Sequence, residues 1–241
     1  MSSKSDGAAA RKRLARGGIS SELGIRLRRA REDSGTSVRE LARRVGVSAS
    51  LVSQVEHGRV MPSVATLFRI TSELGLGLDG LFAEDAARPA PGRPAATAPA
   101  HGSVQRRDAR KVIRLAEGVR WERLTPAADP AVEFMYVVYD VGGASCGEDE
   151  LLRHAGKEYA YLISGKLGVQ VGFDAYEMDA GDSLSFDASR PHRLWNLGHT
   201  PAVAIWAVVA PRRDGLPCRA AAPARTPPAL RSGPHASRGQ T

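Results

Sequence analysis

The sequence predicts two domains of different class within 241 residues, an all-α bundle followed by an all-β barrel. Three observations carry that expectation. Apolar residues recur at helical spacing between residues 20 and 85. Short runs rich in β-branched and aromatic side chains, punctuated by Gly, Asp or Pro, fill residues 106–211. A Pro/Ala-rich stretch, 86–105, lies between them, and its prolines favour extended backbone over helix.

In the first domain Leu23, Leu27 and Ala30 mark one helix, which Gly35 ends. Ser37 is placed to cap a second helix carrying Val38, Leu41, Ala42 and Val45, and Gly46 stops it. Ser48 caps a third with Leu51, Val52 and Val55 apolar, and Gly58 closes it. Pro62-Ser63 opens a fourth with Val64, Leu67, Ile70 and Leu74, and a short fifth around Leu78 to Phe82 completes the bundle. In the second domain AVEFMYVVYDVGG, EYAYLISGKLGVQVG, DSLSF and PAVAIWAVVAP read as strands of a closed antiparallel barrel or jelly roll. Gly165-Lys166 is expected to turn a hairpin, and shared parity along a strand is expected to point Leu152, His154 and Glu158 to one face.

Residues 1–19 are small, polar and basic, too poor in large apolar side chains to fold alone, and are expected to be a disordered arm, while residues 212–241, rich in Arg, Pro and Ala, are expected to be a disordered tail. The barrel region is acidic, with 6 Lys/Arg against 13 Asp/Glu in residues 121–211, while the chain as a whole carries +8. A basic front half joined to an acidic barrel suits an anionic polymer meeting the former. Cys146 and Cys218 stand far apart, which excludes a CxxC metal pair or a disulfide framework. No apolar region follows the basic N-terminus and no stretch nears the roughly 18 apolar residues of a membrane span, so a cytoplasmic location without membrane contact is expected.

The segment SVRELARRVGVSASLVSQVEHG, with Leu41-Ala42, Gly46, Val47-Ser48, Val52-Ser53, Glu56, Gly58, Pro62 and Leu67 in order, resembles the Xre family of lambda-repressor-like helix-turn-helix domains. That resemblance covers about residues 22–82 and implies a five-helix DNA-binding domain. It places Ser48 to Gln54 in the major groove, with Gln54 suited to an adenine edge, Ser48, Ser50 and Ser53 to bases or phosphate, and Ala49 offering at most a methyl contact to thymine. Arg39, Arg43, Arg44 and Arg59 suit phosphates. Arg31 and Glu56 resemble a family pair that joins the first and third helices.

The second domain resembles the cupin superfamily. Its first motif reads Leu152-Arg-His154-xxx-Glu158-xxxxxx-Gly165, with Leu152 where the family has its first histidine. The second runs from Gly181 through Asp187 and Ser189, in place of the family's Pro and Gly, to His192 and Asn196. The resemblance implies a jelly-roll barrel whose His154, Glu158 and His192 are candidate ligands of a divalent metal such as Fe, Zn, Mn or Ni, a set complete for a facial Fe(II) triad. Leu152, Tyr136, Tyr161, Phe186 and Asn196 are candidate effector-pocket residues.

Together the two domains resemble bacterial transcription regulators in which a barrel senses a small-molecule effector. The same order of domains also resembles hydroxypropylphosphonate epoxidase, a non-haem iron enzyme with a His/Glu/His triad. The Ser/Gln recognition surface and its basic flanks favour the regulator, since an enzyme has no need of them. One sparse recognition helix gives little specificity, so a homodimer reading an inverted repeat in double-stranded DNA is expected. The linker is expected to insulate the helical core from the barrel.

Overall fold

The computed structural model describes residues 22–82 and 103–210; the basic arm, nearly all of the Pro/Ala linker and the C-terminal tail lie outside the described residues. The described residues all belong to one compact unit. Helix α1 spans residues 22–33, followed by α2 (Val38–Val45), α3 (Ala49–Glu56), α4 (Val64–Glu73) and the short α5 (Asp79–Phe82).

Serine begins three of these helices for one physical reason. Ser37, Ser48 and Ser63 hold extended backbone while their hydroxyls accept from the amides of Glu40, Leu51 and Thr66, donors that the first helical turn leaves unpaired. Gly46 ends α2 at φ 73°, and the reversal there sets α3 across α2. Leu23, Leu27, Leu41, Val52, Val55, Leu67, Ile70 and Leu81 close the core. Arg31 of α1 and Glu56 of α3 meet inside it as a two-point ion pair at 2.6 and 2.9 Å, with the Arg31 fork also donating to the Thr36 carbonyl. The expected family pair is thus present, and burying both charges is tolerated because each is hydrogen-bonded.

The barrel has nine antiparallel strands in two sheets, after a 3-10 turn at Arg107–Ala109. β1 (Val112–Arg114), β2 (Val119–Arg123), β3 (Val132–Tyr139), β4 (Lys157–Ser164), β5 (Leu167–Val171), β6 (Asp174–Met178), β7 (Ser183–Asp187), β8 (His192–Asn196) and β9 (Ala202–Val209) order as β1-β2-β3-β9-β4-β7 in one sheet and β6-β5-β8 in the other. The inner faces interleave Trp121, Met135, Val137, Leu162, Val169, Leu194 and Trp206.

Two local expectations are corrected. Gly165-Lys166 is no hairpin turn, because β4 and β5 lie in different sheets; the chain passes a corner there, with Gly165 at φ 83° and no room for a side chain beside Pro201 and Ala202. Leu152, His154 and Glu158 also do not share one strand. Leu152 forms a lone bridge with His192, and β4 starts only at Lys157, after Gly156 turns the chain at φ 112°.

The expected insulation of the helical core is absent as well. Helix α4 turns Leu67 and Ile70 into the helical core and lies against the barrel by its other side, where Val64 and Phe68 border the barrel interior. The Ala65 amide donates to the Ser145 carbonyl at 3.1 Å, the Ala116 amide to the Pro62 carbonyl at 2.9 Å, and Arg69 pairs with Glu150 at 2.7 Å. The Leu78 amide donates to Glu133 at 2.9 Å.

Candidate functional site

The surface of α3 is assembled from side chains that the helical core does not consume. Val52 and Val55 face inward, while Ser48 and Ser50 are exposed and Ser53 and Gln54 half-buried. Ser48 is occupied as the cap of α3, so its hydroxyl positions the helix as well as facing outward. The Gln54 amide donates to Ser50 Oγ at 3.0 Å, a contact that holds its carboxamide against the helix. Ala49 is half-buried and packs against the core.

The basic residues fall into two groups. Arg39 and Arg59 are exposed, whereas Arg43 and Arg44 both grip Glu40 at 2.7 Å, and Arg44 also reaches Glu73 at 2.9 Å. Hydrogen bonds from Arg43 and then Arg44 hold the Glu40 carboxyl down at about 2. Pairs this exposed are weakly held, so a phosphate can take over either guanidinium.

The barrel site is built from three places in the chain. Glu158 stands on the inner face of β4 opposite Val208, and Trp206, on the same face of β9, reaches diagonally to donate its indole N–H to Glu158 Oε2 at 2.8 Å. His192 opens β8 in the other sheet and exchanges two backbone hydrogen bonds with Leu152. His154 is held between them, its amide donating to the Ala188 carbonyl at 2.9 Å.

The two imidazoles are oriented by backbone. His154 Nδ1 donates to the Ala155 carbonyl at 3.1 Å and His192 Nδ1 to the Arg190 carbonyl at 2.9 Å, which leaves the lone pair of each Nε2 facing inward. Those Nε2 atoms lie 2.6 and 3.4 Å from Glu158 Oε1, yet neither is aligned for a hydrogen bond. The three ligand atoms all lie within 4.8 Å of one another. Convergence on a shared point without alignment on each other is what a metal ion requires of its ligands, and the residues fit one. Burial pushes the Glu158 carboxyl up, but the nearby imidazoles of His154 and His192 outweigh it and hold the group at about 2. For His154, burial lowers the imidazole while Glu158 raises it, and the net direction is upward.

The interior beside the triad is a cavity of about 20 Å³ bounded by Trp121, Met135, Val137, Leu152, Leu194 and Trp206, room for an ion or a water. Leu152, where the family's first histidine would stand, is buried there and offers no ligand atom. Phe186 packs its ring against His192 at 4.8 Å. The other expected pocket residues lie elsewhere. Tyr161 points to the outer face of β4 and is 51% exposed, because the inward positions of that strand are the even-numbered ones. Tyr136 lies under the Arg110 guanidinium and outside the cavity wall. Asn196 donates to the carbonyls of Tyr139, Asp140 and Thr200 and accepts from the Gly198 amide, a corner brace with no valence to spare for an effector. The sequence reading did not anticipate Phe68 of α4, which also lines the cavity; its helical spacing carries no sign of a role in the barrel.

Comparison with known proteins covers both halves. A helix-turn-helix domain model matches residues 22–82 and a cupin domain model residues 135–208. The chain therefore carries a helix-turn-helix domain followed by a cupin domain. It is 22% identical to the HTH-type transcriptional regulator PuuR of Escherichia coli (strain K12) over 72% of this chain and 86% of that protein. The crystal structure of an HTH_3 family transcriptional regulator from Vibrio cholerae matches at a TM-score of 0.58 and 22% identity, covering 82% of this chain and 99% of that one, and supports the fold. Hydroxypropylphosphonic acid epoxidase from S. wedmorenis aligns over 78% of this chain and 97% of its own at 20% identity, but its TM-score of 0.37 carries no argument for shared chemistry. Among the described residues no helix is long and apolar enough to cross a membrane.

Proposed function

We propose that the chain binds a specific double-stranded DNA operator through α3, in the cytoplasm, and that its barrel senses a small effector with or through a divalent metal held by His154, Glu158 and His192. The observation that carries the DNA reading is the α2–α3 unit itself. Gly46 sets the crossing, the buried Arg31–Glu56 pair fixes α3 from behind, and Ser50, Ser53 and Gln54 remain on its outer side with Arg39 and Arg59 on the surrounding surface. A bound divalent ion of the Fe, Zn, Mn or Ni class would supply a Lewis acid whose open positions accept an oxygen or nitrogen atom of the effector.

A second copy is part of this reading. Phe134, Tyr159, Tyr161 and Ile163 leave an apolar outer face on the six-stranded sheet, suited to a self-complementary contact that would pair two recognition helices. The enzyme alternative rests on the triad alone, whereas the regulator reading also accounts for the α2–α3 unit. The deciding experiment selects bound sequences from random duplex DNA with the full-length protein and footprints the winners. An inverted repeat protected by a dimer is expected. Oxygen uptake coupled to substrate consumption without any preferred DNA sequence would overturn the reading.

A further inference from the structure

Helix α4 belongs to the DNA-binding domain, yet one of its side chains finishes the wall of the barrel site. The Phe68 ring stacks face to face on the His154 imidazole, with centroids 3.9 Å apart and planes 1° from parallel. Its edge also meets Trp121 at 5.8 Å and 67°. Phe68 therefore touches one of the three candidate ligands and stands between the cavity and a groove of about 200 Å³ that runs between α4 and the barrel, lined by Thr71, Leu76 and Leu78 on one side and Val132 and Ala155 on the other.

The position leaves Phe68 little independent movement. Ala65, one turn before it, is fully buried and hydrogen-bonded to Ser145, and Arg69, next to it, is paired with Glu150. The opposite side of α4 holds Leu67 and Ile70, both in the core on which α2 and α3 rest. A change at the His154 ring is thus passed to a helix that is itself part of the recognition scaffold. Close-packed contacts of this kind do not deform continuously, so the ring either keeps the stack or leaves it.

We propose that Phe68 is the transmitting residue between the barrel and the DNA-binding domain: filling the His154/Glu158/His192 site fixes the imidazole on which Phe68 is stacked, and α4 carries that constraint to α2 and α3. Ligation at Nε2 would hold the His154 ring in one orientation and lock the stack, fastening α4 to the barrel. An organic ligand too large for the cavity can enter from the groove only by displacing Phe68, which releases the same contact. The two occupants act in opposite directions on one side chain. This rests on the regulator reading above for its consequence at DNA, though the coupling itself is a property of the folded chain.

The test uses full-length protein and Mn²⁺ alone as the probe, comparing wild type with Phe68→Ala and Phe68→Tyr. Three quantities are measured: Mn²⁺ binding by calorimetry, amide hydrogen exchange in α4 and α3, and affinity for the selected operator. In wild type, Mn²⁺ is expected to slow exchange in both helices and to change operator affinity by at least about fivefold, the lower end of ordinary site-to-site coupling. Phe68→Ala should still bind Mn²⁺, because all three ligands remain, but should lose both responses; Phe68→Tyr, which keeps the ring, should retain them. Exchange and operator responses in Phe68→Ala equal to wild type would sink the proposal, as would wild type that takes up no Mn²⁺ or takes it up with no change in α4. Absence of any preferred DNA sequence would defeat the regulator reading instead, and the exchange experiment would still decide the coupling.

Discussion

The outer face of α3 and the interior of the barrel are both candidate binding sites, and they are built on opposite physical terms. On the surface of α2 and α3 the polar groups are exposed or half-buried, held by local contacts such as Gln54 to Ser50 or Arg43 to Glu40, three or four residues apart. In the barrel, Glu158 and His192 are buried, they come from different sheets, and Trp206 holds Glu158 across 48 residues. A surface of the first kind exchanges its partners cheaply for phosphates and base edges. An interior of the second kind is preorganised, and the loss of one support leaves other polar groups unsatisfied.

That contrast is sharpest where a buried charge lies beneath the DNA-binding surface. Arg31→Ala strands the Glu56 carboxylate in the helical core and should cost about 3 kcal/mol, measured by denaturant unfolding of the full chain. A loss under 1 kcal/mol would mean that the pair fixes the posture of α3 without stabilising it. In the barrel, Trp206→Phe removes the indole donor from Glu158 Oε2 while keeping an aromatic ring. It should weaken metal binding about 10- to 100-fold, the usual effect of losing such a supporting contact, and calorimetry against Mn²⁺ reads it directly.

The surface variants should be milder and distinguishable by their pattern. Gln54→Ala is expected to cost about 1–3 kcal/mol on the preferred operator and almost nothing on random DNA, whereas Arg43→Ala should weaken both alike and reduce the slope of log affinity against log salt by about 1. Identical behaviour of the two across sequences would move the reading surface away from Gln54. The smallest effect belongs to Ser48→Ala, which deletes the cap of α3 and should lower stability by about 1 kcal/mol. A drop in operator affinity larger than that loss explains would show that the hydroxyl also meets DNA.

The helical half was the more legible one. Its caps at Ser37, Ser48 and Ser63 and its stop at Gly46 act within four residues, so the signals and their structural consequences lie side by side in the sequence. In the barrel the strand segments were readable but not their partners. Gly165 looked like a hairpin because two alternating runs flank it, yet each run found a different sheet, a choice made by packing on distant strands. Parity along one strand was the wrong reason for expecting His154 and Glu158 together, since the chain turns at Gly156 before β4 begins.

What the sequence determined by itself was therefore the class of each domain, the order α then β, the serine and glycine punctuation of the helices, and the identity of three candidate metal ligands. All of these follow from short-range periodicity or from motif spacing. Only the tertiary structure decided which pocket candidates face inward, with Phe186 against His192, Tyr136 and Tyr161 outside the interior, and Asn196 spent on a corner. Only it could set Phe68 against His154, 86 positions apart in the chain. Helical periodicity specifies that a side chain leaves the helix on one side, and the surface it meets there is settled by how two separately patterned domains pack.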